Sequence, residues 1–171
     1  MTKVSIISAG RDSLIQILDK NLEGVRVFDL LKQDLNPLIP CVMAIDVLEG
    51  DSKVLLGTIS SEIYEFTFKE DFLKGEYEVN KIALNHCSTS TSSALPNEFS
   101  ALLYMKRNEV IITTGEDYCL KIWDINSNKL LKNIKLEKED IKKTKLYPKC
   151  LDADPEEKFV CIGYKEEFAK V

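Results

Sequence analysis

The residues best suited to chemistry in this chain are a single histidine and five scattered cysteines. His86 is followed directly by Cys87, and such a pair could form a thiol nucleophile with a histidine base. Adjacent residues of a strand point to opposite faces, however, so the two side chains are poorly placed to share a proton. We expect His86 to be a structural hydrogen-bonding residue. An enzyme that uses His86 or a cysteine is kept as the alternative.

Cofactor sites are not predicted. Residues 10–12, Gly-Arg-Asp, lie in a predicted hairpin turn rather than between a strand and a helix, so they do not form a phosphate-binding loop. One histidine with scattered cysteines lacks the spacing of a metal site. The carboxylates Asp152 and Asp154 are interpreted as solvated strand ends rather than a glycosidase pair. We expect no enzyme activity, no cofactor and no metal.

Composition narrows the class of partner. The net charge of -5 does not favour a basic face for nucleic acid, and the 44% hydrophobic and 30% charged residues are typical of a soluble globular protein. No apolar run approaches the roughly 20 residues that span a bilayer, so membrane insertion is not expected. The odd number of cysteines, with no C-x-x-C pair, predicts free thiols in a reducing compartment. The expected location is the cytoplasm.

A lysine-rich stretch follows the only tryptophan. Its members are Lys129, Lys132, Lys135, Lys138, Lys142, Lys143, Lys145 and Lys149, and acidic residues at 137, 139 and 140 interrupt it. The favoured interpretation is a solvated strand and loop, and the alternative is a docking patch for an acidic partner. Under that alternative, Lys142, Lys143 and Lys145 are the candidate contacts.

These residues must be positioned by β-hairpins. Residues 109–114 and 119–125 are β-branched, apolar runs that flank the turn Gly-Glu-Asp-Tyr. Residues 99–105 predict a preceding strand, and residues 129–136 predict a following one. The region therefore reads as a four-stranded meander.

The same pattern recurs along the chain. Residues 6–19 overlay the central hairpin without a gap, so that Asp12 falls on Asp117 and Leu18 falls on Trp123. A second copy spans residues 42–66, with Ser60 in the Asp position and Phe66 in the Trp position. A partial copy spans 149–164, in which Gly163 lies 48 residues after Gly115. This spacing is close to the period of β-propeller blades, about 40 to 50 residues.

Two segments need separate interpretation. The Ser/Thr-rich residues 87–97 predict an inserted loop, which lengthens the interval between the second and third copies. Residues 14–31 also carry an apolar stripe that fits a helix. The gapless overlay favours strands there, with Gly24 in a turn.

Thr113, Gly115 and Asp117, followed by Ile122-Trp123-Asp124, resemble the WD-repeat signature. The usual Gly-His element is present as Asn85-His86. The resemblance implies a propeller of four-stranded antiparallel blades in which His86, Thr113, Asp117 and Trp123 form a hydrogen-bonded chain. The first copy departs from the signature with Leu18, and the second with Ser60 and Phe66.

A narrower resemblance covers most of the chain. Residues 55–66 and 159–164 are similar to blades of the echinoderm microtubule-associated protein-like family, whose members engage tubulin and microtubules. The basic, coiled-coil region of that family is absent from the sequence. The resemblance implies a protein-interaction scaffold that is cytoskeletal, and a general WD-repeat adaptor unrelated to microtubules is the alternative.

The expected fold is all-β, a partial propeller of three to four blades near residues 1–36, 37–85, 86–146 and 147–171. A WD-type ring needs about twice this length, so we expect the chain to be a fragment of a longer protein. Alone it would expose apolar blade faces, and two copies could pair to cover them.

Overall fold

The computed structural model describes residues 6–19, 21–22, 26–32, 41–48, 53–69, 76–86, 99–136 and 147–165. These residues form thirteen strands and one 3-10 turn, Leu30–Lys32, and none of them lies in an α-helix. The strands are β1 (Ile6–Ala9), β2 (Leu14–Leu18), β3 (Arg26–Asp29), β4 (Val42–Val47), β5 (Lys53–Thr58), β6 (Glu62–Phe68), β7 (Tyr77–Asn85), β8 (Phe99–Met105), β9 (Val110–Gly115), β10 (Cys119–Asp124), β11 (Leu130–Lys135), β12 (Tyr147–Ala153) and β13 (Val160–Lys165).

The strands make four antiparallel sheets in chain order. The first sheet contains β1–β3, the second β4–β7, the third β8–β11 and the fourth β12–β13, and every pairing joins consecutive strands. The predicted all-β class is confirmed. The helix considered for residues 14–31 is wrong, because that segment holds β2 and β3 paired with each other. Gly24, predicted in a turn, lies outside the described residues.

The overlay of the hairpins is confirmed by strand register. Leu18 pairs with Ile6, Phe66 pairs with Val54 and Trp123 pairs with Ile111, so three hairpins share one register. Each of these hairpins closes with a hydrogen bond from the fourth turn residue to the first, as in Ser13 N to Gly10 O at 3.2 Å. The fourth residue has a positive φ each time, and Asp12, Ser60 and Asp117 stand directly before it. The three residues therefore occupy one structural position.

A β-bulge recurs where the first strand of a sheet meets the second. It falls between Val42 and Ala44, between Phe99 and Ala101, and between Pro148 and Cys150. Beyond the bulge, Gly163 pairs with Cys150 as Thr114 pairs with Ala101. The alignment of Gly163 with Gly115 is therefore wrong by one residue, because Gly115 pairs with Phe99 before the bulge and Gly163 pairs with Cys150 after it.

Three apolar cores lie between successive sheets. The first core joins Ile15, Ile17 and Phe28 of the first sheet to Leu56 and Phe66 of the second. The next cores lie between the second and third sheets and between the third and fourth sheets. Strand β4 contacts β8, and β8 contacts β12. Each sheet thus packs face to face on the next one, and the described strands do not close into a ring.

Candidate functional site

The third sheet gathers the four residues that the WD resemblance singled out. Thr113 lies on β9, Trp123 on β10 and Asp117 in the turn between these strands, while His86 directly follows β7 of the second sheet. The sequence predicts both His86 and Cys87 within a strand, but β7 ends at Asn85 and His86 lies just beyond it. We call these four residues the buried tetrad.

The tetrad is a continuous line of hydrogen bonds. Trp123 Nε1–H donates to Thr113 Oγ1 over 2.8 Å. His86 Nδ1 lies 2.7 Å from the same hydroxyl, and His86 Nε2 lies 3.0 Å from Asp117 Oδ1. The geometry joins β10, β9, the end of β7 and a hairpin turn through side chains alone.

The indole N–H of Trp123 can only donate, and this fixes which groups donate and which accept in the tetrad. Thr113 Oγ1 accepts that bond, so its own proton is free to reach His86 Nδ1. His86 then carries its proton on Nε2 and donates to the Asp117 carboxylate. In this tautomer every member of the tetrad is satisfied, as buried polar groups require.

Asp117 is the charged end of the tetrad. Burial acts to raise the pKa of Asp117, but the hydrogen bonds from His86 and Cys119 N and the nearby charge of Lys121 outweigh it, so the pKa lies below its ordinary value. Lys121 Nζ lies 3.5 Å from Asp117 Oδ2 and also donates to the carbonyl of His86. The ring of Phe99 meets the His86 ring edge-on at 6.2 Å. The surroundings favour an ionised Asp117.

Thr113, His86 and Asp117 have the order of a hydroxyl, a base and an orienting carboxylate, as in nucleophilic catalysis. The side chains of both Thr113 and His86 are 0% exposed, however. The Thr113 hydroxyl also accepts the tryptophan N–H, which would have to be broken for an attack. The arrangement is suited to holding strands together.

The cysteines fall into two environments. Burial, followed by the charge of Asp117, raises the pKa of the Cys119 thiol, which reduces its thiolate fraction. Cys150 and Cys161 are exposed on the fourth sheet, and the four described cysteines are all free thiols. Cys87 lies outside the described residues.

A second polar network, which the sequence analysis missed, occupies the matching turn of the second sheet. Ser60 Oγ donates to Glu62 Oε2 over 3.0 Å, and Tyr64 OH donates to the same oxygen over 3.3 Å. Thr58 Oγ1 lies 3.0 Å from Ser60 Oγ, and Lys81 Nζ contacts the other Glu62 oxygen. Burial and the Glu62 charge raise the pKa of Tyr64. The sequence signal that could have predicted this network is the alternation of Ser60, Glu62 and Tyr64 along one face of the strand.

The first sheet keeps only the turn part of this pattern. Asp12 Oδ1 accepts a bond from Leu14 N at 3.1 Å, as Asp117 Oδ1 accepts one from Cys119 N at 3.1 Å. Leu18, at the Trp123 position, has no side-chain N–H to donate. Within the described residues, Asp12 therefore hydrogen-bonds to the backbone of its own turn and does not join a chain of side-chain hydrogen bonds.

Other candidate contacts are distributed differently. Lys142, Lys143 and Lys145 lie outside the described residues, whereas Lys129, Lys132 and Lys135 are exposed on or beside β11. A cleft of about 350 Å³ opens between the second and third sheets, at the end opposite the tetrad turn, and Lys53, Glu65 and Glu109 line it.

The described part of the chain holds no group of three or more His, Cys, Asp or Glu side chains arranged to bind a metal ion. Across those same ranges, no helix is long and apolar enough to cross a lipid bilayer. No family model matches the chain, and no curated protein is significantly similar to it.

Proposed function

We propose that this chain is part of a WD-type β-propeller and acts as a protein-interaction scaffold. The observation that carries the proposal is the buried tetrad, because the WD resemblance implies these four residues and the structure joins them by hydrogen bonds. Four sheets of consecutive antiparallel strands, each packed on the next, support the same architecture.

The burial of His86 and Thr113 favours a scaffold over an enzyme. The only histidine is fully buried, and its hydroxyl partner Thr113 is equally inaccessible. The alternative, an enzyme using His86 or a cysteine, predicts an activity that His86→Ala abolishes while the fold persists. The scaffold predicts that His86→Ala lowers stability with no activity to lose.

The proposed partner is tubulin or the microtubule, in the cytoplasm at the cytoskeleton. Support comes from the resemblance of residues 55–66 and 159–164 to the microtubule-associated family. An acidic partner surface would be attracted to Lys142, Lys143 and Lys145. The second candidate is an adaptor in another multiprotein complex, which the same all-β stack would serve equally well.

Co-sedimentation with polymerised tubulin tests the partner. We expect saturable pelleting that weakens with salt, and a loss of pelleting when Lys142, Lys143 and Lys145 are all changed to Ala. The matched control changes Lys129, Lys132 and Lys135 to Ala, which removes the same charge from another part of the lysine-rich stretch. Absence of pelleting at every salt concentration would leave the adaptor as the function.

Thr113→Val tests the structural basis of the proposal. The change preserves shape but leaves Trp123 Nε1–H and His86 without their shared partner, so we expect a loss of about 2–4 kcal/mol in the free energy of unfolding, measured by urea denaturation. Thr67→Val, which removes a hydroxyl bonded to Glu65 at 3.2 Å, should cost less than about 1 kcal/mol. Equal costs for the two variants would remove the tetrad as the support.

A further inference from the structure

The face that the second sheet turns toward the third changes character along its length. Leu55 and Ile63 lie on this face and belong to the core between the two sheets. Glu65 pairs with Leu55, and Lys53 lies two residues before Leu55 on the same strand, so both charged residues share that face. The second sheet is therefore apolar near the tetrad and charged at the opposite end, where Lys53 and Glu65 line the cleft.

The third sheet forms the other wall of the cleft and changes in the same way. Ile111 and Trp123 pair with each other in the core between the two sheets. Glu109 and Ile125 come two residues further along, where Ile125 N donates to Glu109 O over 3.3 Å. Glu109 Oε2 accepts a hydrogen bond from Asn126 Nδ2 over 3.3 Å. A carboxylate therefore stands on each wall of the cleft.

The charged groups of the cleft bond only within their own wall, as far as the described residues extend. Lys53 Nζ lies 3.1 Å from Glu65 Oε1, and Thr67 Oγ1 donates to the same oxygen over 3.2 Å. Among these residues, Glu65 Oε2 and Glu109 Oε1 have no hydrogen-bond partner. The cleft thus holds two carboxylates and one ammonium group, and each carboxylate keeps one oxygen available to a ligand.

The setting of Glu65 strengthens its attraction for a cation. Its side chain is only 16% exposed, so the carboxylate is screened by water and salt less than a surface carboxylate would be. The remaining lining of the cleft includes Leu48, Tyr104 and Ile125, which offer apolar and aromatic surface. A cation that carries an aliphatic stem matches this combination of groups.

We propose that the cleft binds an arginine side chain from an extended segment of a protein partner. The guanidinium is a planar cation with N–H donors on several edges, so it can bond carboxylates on both walls at once and stack on an aromatic ring. The cleft volume of about 350 Å³ lies at the small end of ligand pockets, about 300–1,000 Å³, which suits a single side chain. The proposal rests on the scaffold function and names the chemistry of its partner.

Titration of the full chain with short peptides tests the ligand. The probe is a glycine peptide with one central arginine and both ends capped, and its matched control carries citrulline, which has nearly the same shape without the charge. We expect the arginine peptide to shift the backbone amide NMR signals of Ile125 and Asn126, and the citrulline peptide to bind about fivefold more weakly. Equal binding of the two peptides would overturn the proposal.

Two variants of the cleft should change the affinity in opposite directions. Glu109→Gln keeps the side-chain shape but removes a negative charge, so we expect the arginine peptide to bind about two- to fivefold more weakly. Lys53→Met removes the ammonium that competes for Glu65, so we expect binding to tighten by about the same factor. Glu116→Gln is the matched control, because Glu116 pairs with Lys149 in the turn at the other end of the third sheet. It should leave the affinity unchanged.

Weaker binding of the arginine peptide to Lys53→Met would contradict the assignment, since the ammonium rather than the carboxylates would then hold the ligand. So would a lysine peptide that binds more tightly than the arginine peptide. If a variant fails to fold, as circular dichroism would reveal, the arginine and citrulline peptides still decide the matter on the wild-type chain. The tubulin and Thr113→Val experiments do not involve the cleft, so a failure of arginine binding and a failure of the scaffold remain distinguishable.

Discussion

At the scale of single residues, buried polar groups divide into satisfied and unsatisfied ones. The tetrad gives Trp123, Thr113 and His86 a partner for each buried polar atom. Ser61, in the equivalent turn of the second sheet, is fully buried, and its hydroxyl has no partner among the described residues. Its φ of 66° adds backbone strain. Similar turns thus hold both a stabilising network and a local defect.

Asp117 should make the free energy of unfolding depend on pH in the acidic range. Its pKa is lowered in the folded state, so its contribution is fully present above the unfolded pKa of about 3.9 and is lost as pH falls through the folded value. We expect Asp117→Asn to be less stable than the wild type at neutral pH, and this difference to shrink below about pH 3.9. The comparison uses the urea denaturation midpoints of the wild type and of Asp117→Asn, each measured at neutral pH and below about pH 3.9.

The control for that experiment is Asp12→Asn. Asp12 occupies the same turn position but bonds only the backbone, at Leu14 N, within the described residues. Asp12→Asn should cost less stability than Asp117→Asn at neutral pH, because no buried histidine side chain is bonded to Asp12 within the described residues. If the Asp117→Asn difference stays constant with pH, the ionised carboxylate is not what the tetrad uses.

Two buried serines should respond in opposite ways to alanine. Ser61→Ala removes an unpaired hydroxyl, so we expect the free energy of unfolding to rise by about 1 kcal/mol. Ser100→Ala removes a hydroxyl that donates to Thr114 O over 3.0 Å, so we expect it to fall by about 1 kcal/mol. Urea denaturation of both variants gives the signs, and a loss for Ser61→Ala would show that its hydroxyl has a partner.

At the scale of elements, the hairpins could be predicted and some of their surroundings could not. The turns carrying Asp12, Ser60 and Asp117 share a local pattern, so their overlay needed no distant information. Strand β7 was not located, because its alternation is interrupted where its pairing with β6 shifts register between Glu62 and Ile63. The one-residue misalignment of Gly163 could not be seen in the sequence either, because the bulge is the reference point for the alignment and a bulge has no fixed residue type.

Packing between the second and third sheets should be sensitive to a single methyl group. Gly57→Ala places a Cβ against the Phe99 ring, so we expect a loss of about 1–3 kcal/mol in unfolding free energy. Adding Phe99→Leu should recover part of that loss, which a double-mutant cycle would reveal. Gly10→Ala is the milder control, because the atom nearest to its new Cβ would be Asp12 Oδ1 at 3.1 Å, a longer separation from a smaller side chain. Additive effects of Gly57→Ala and Phe99→Leu would show that the ring does not fill this notch.

At the scale of the whole molecule, the candidate site depends on a contact between distant parts of the chain. His86 and Thr113 are 27 residues apart, with the Ser/Thr-rich insert between them. Spacing alone could not bring them together, and only the WD resemblance named both. The stacking of the sheets likewise follows from which apolar face each strand presents.

The pairing of consecutive strands has a consequence for how the protein is made. Since every ladder joins neighbours in the sequence, each sheet closes short loops and can form before later residues exist. During synthesis, a completed sheet can serve as the template on which the next one condenses. Pulling on one end should reverse this order and remove sheets one at a time, as in other linear arrays.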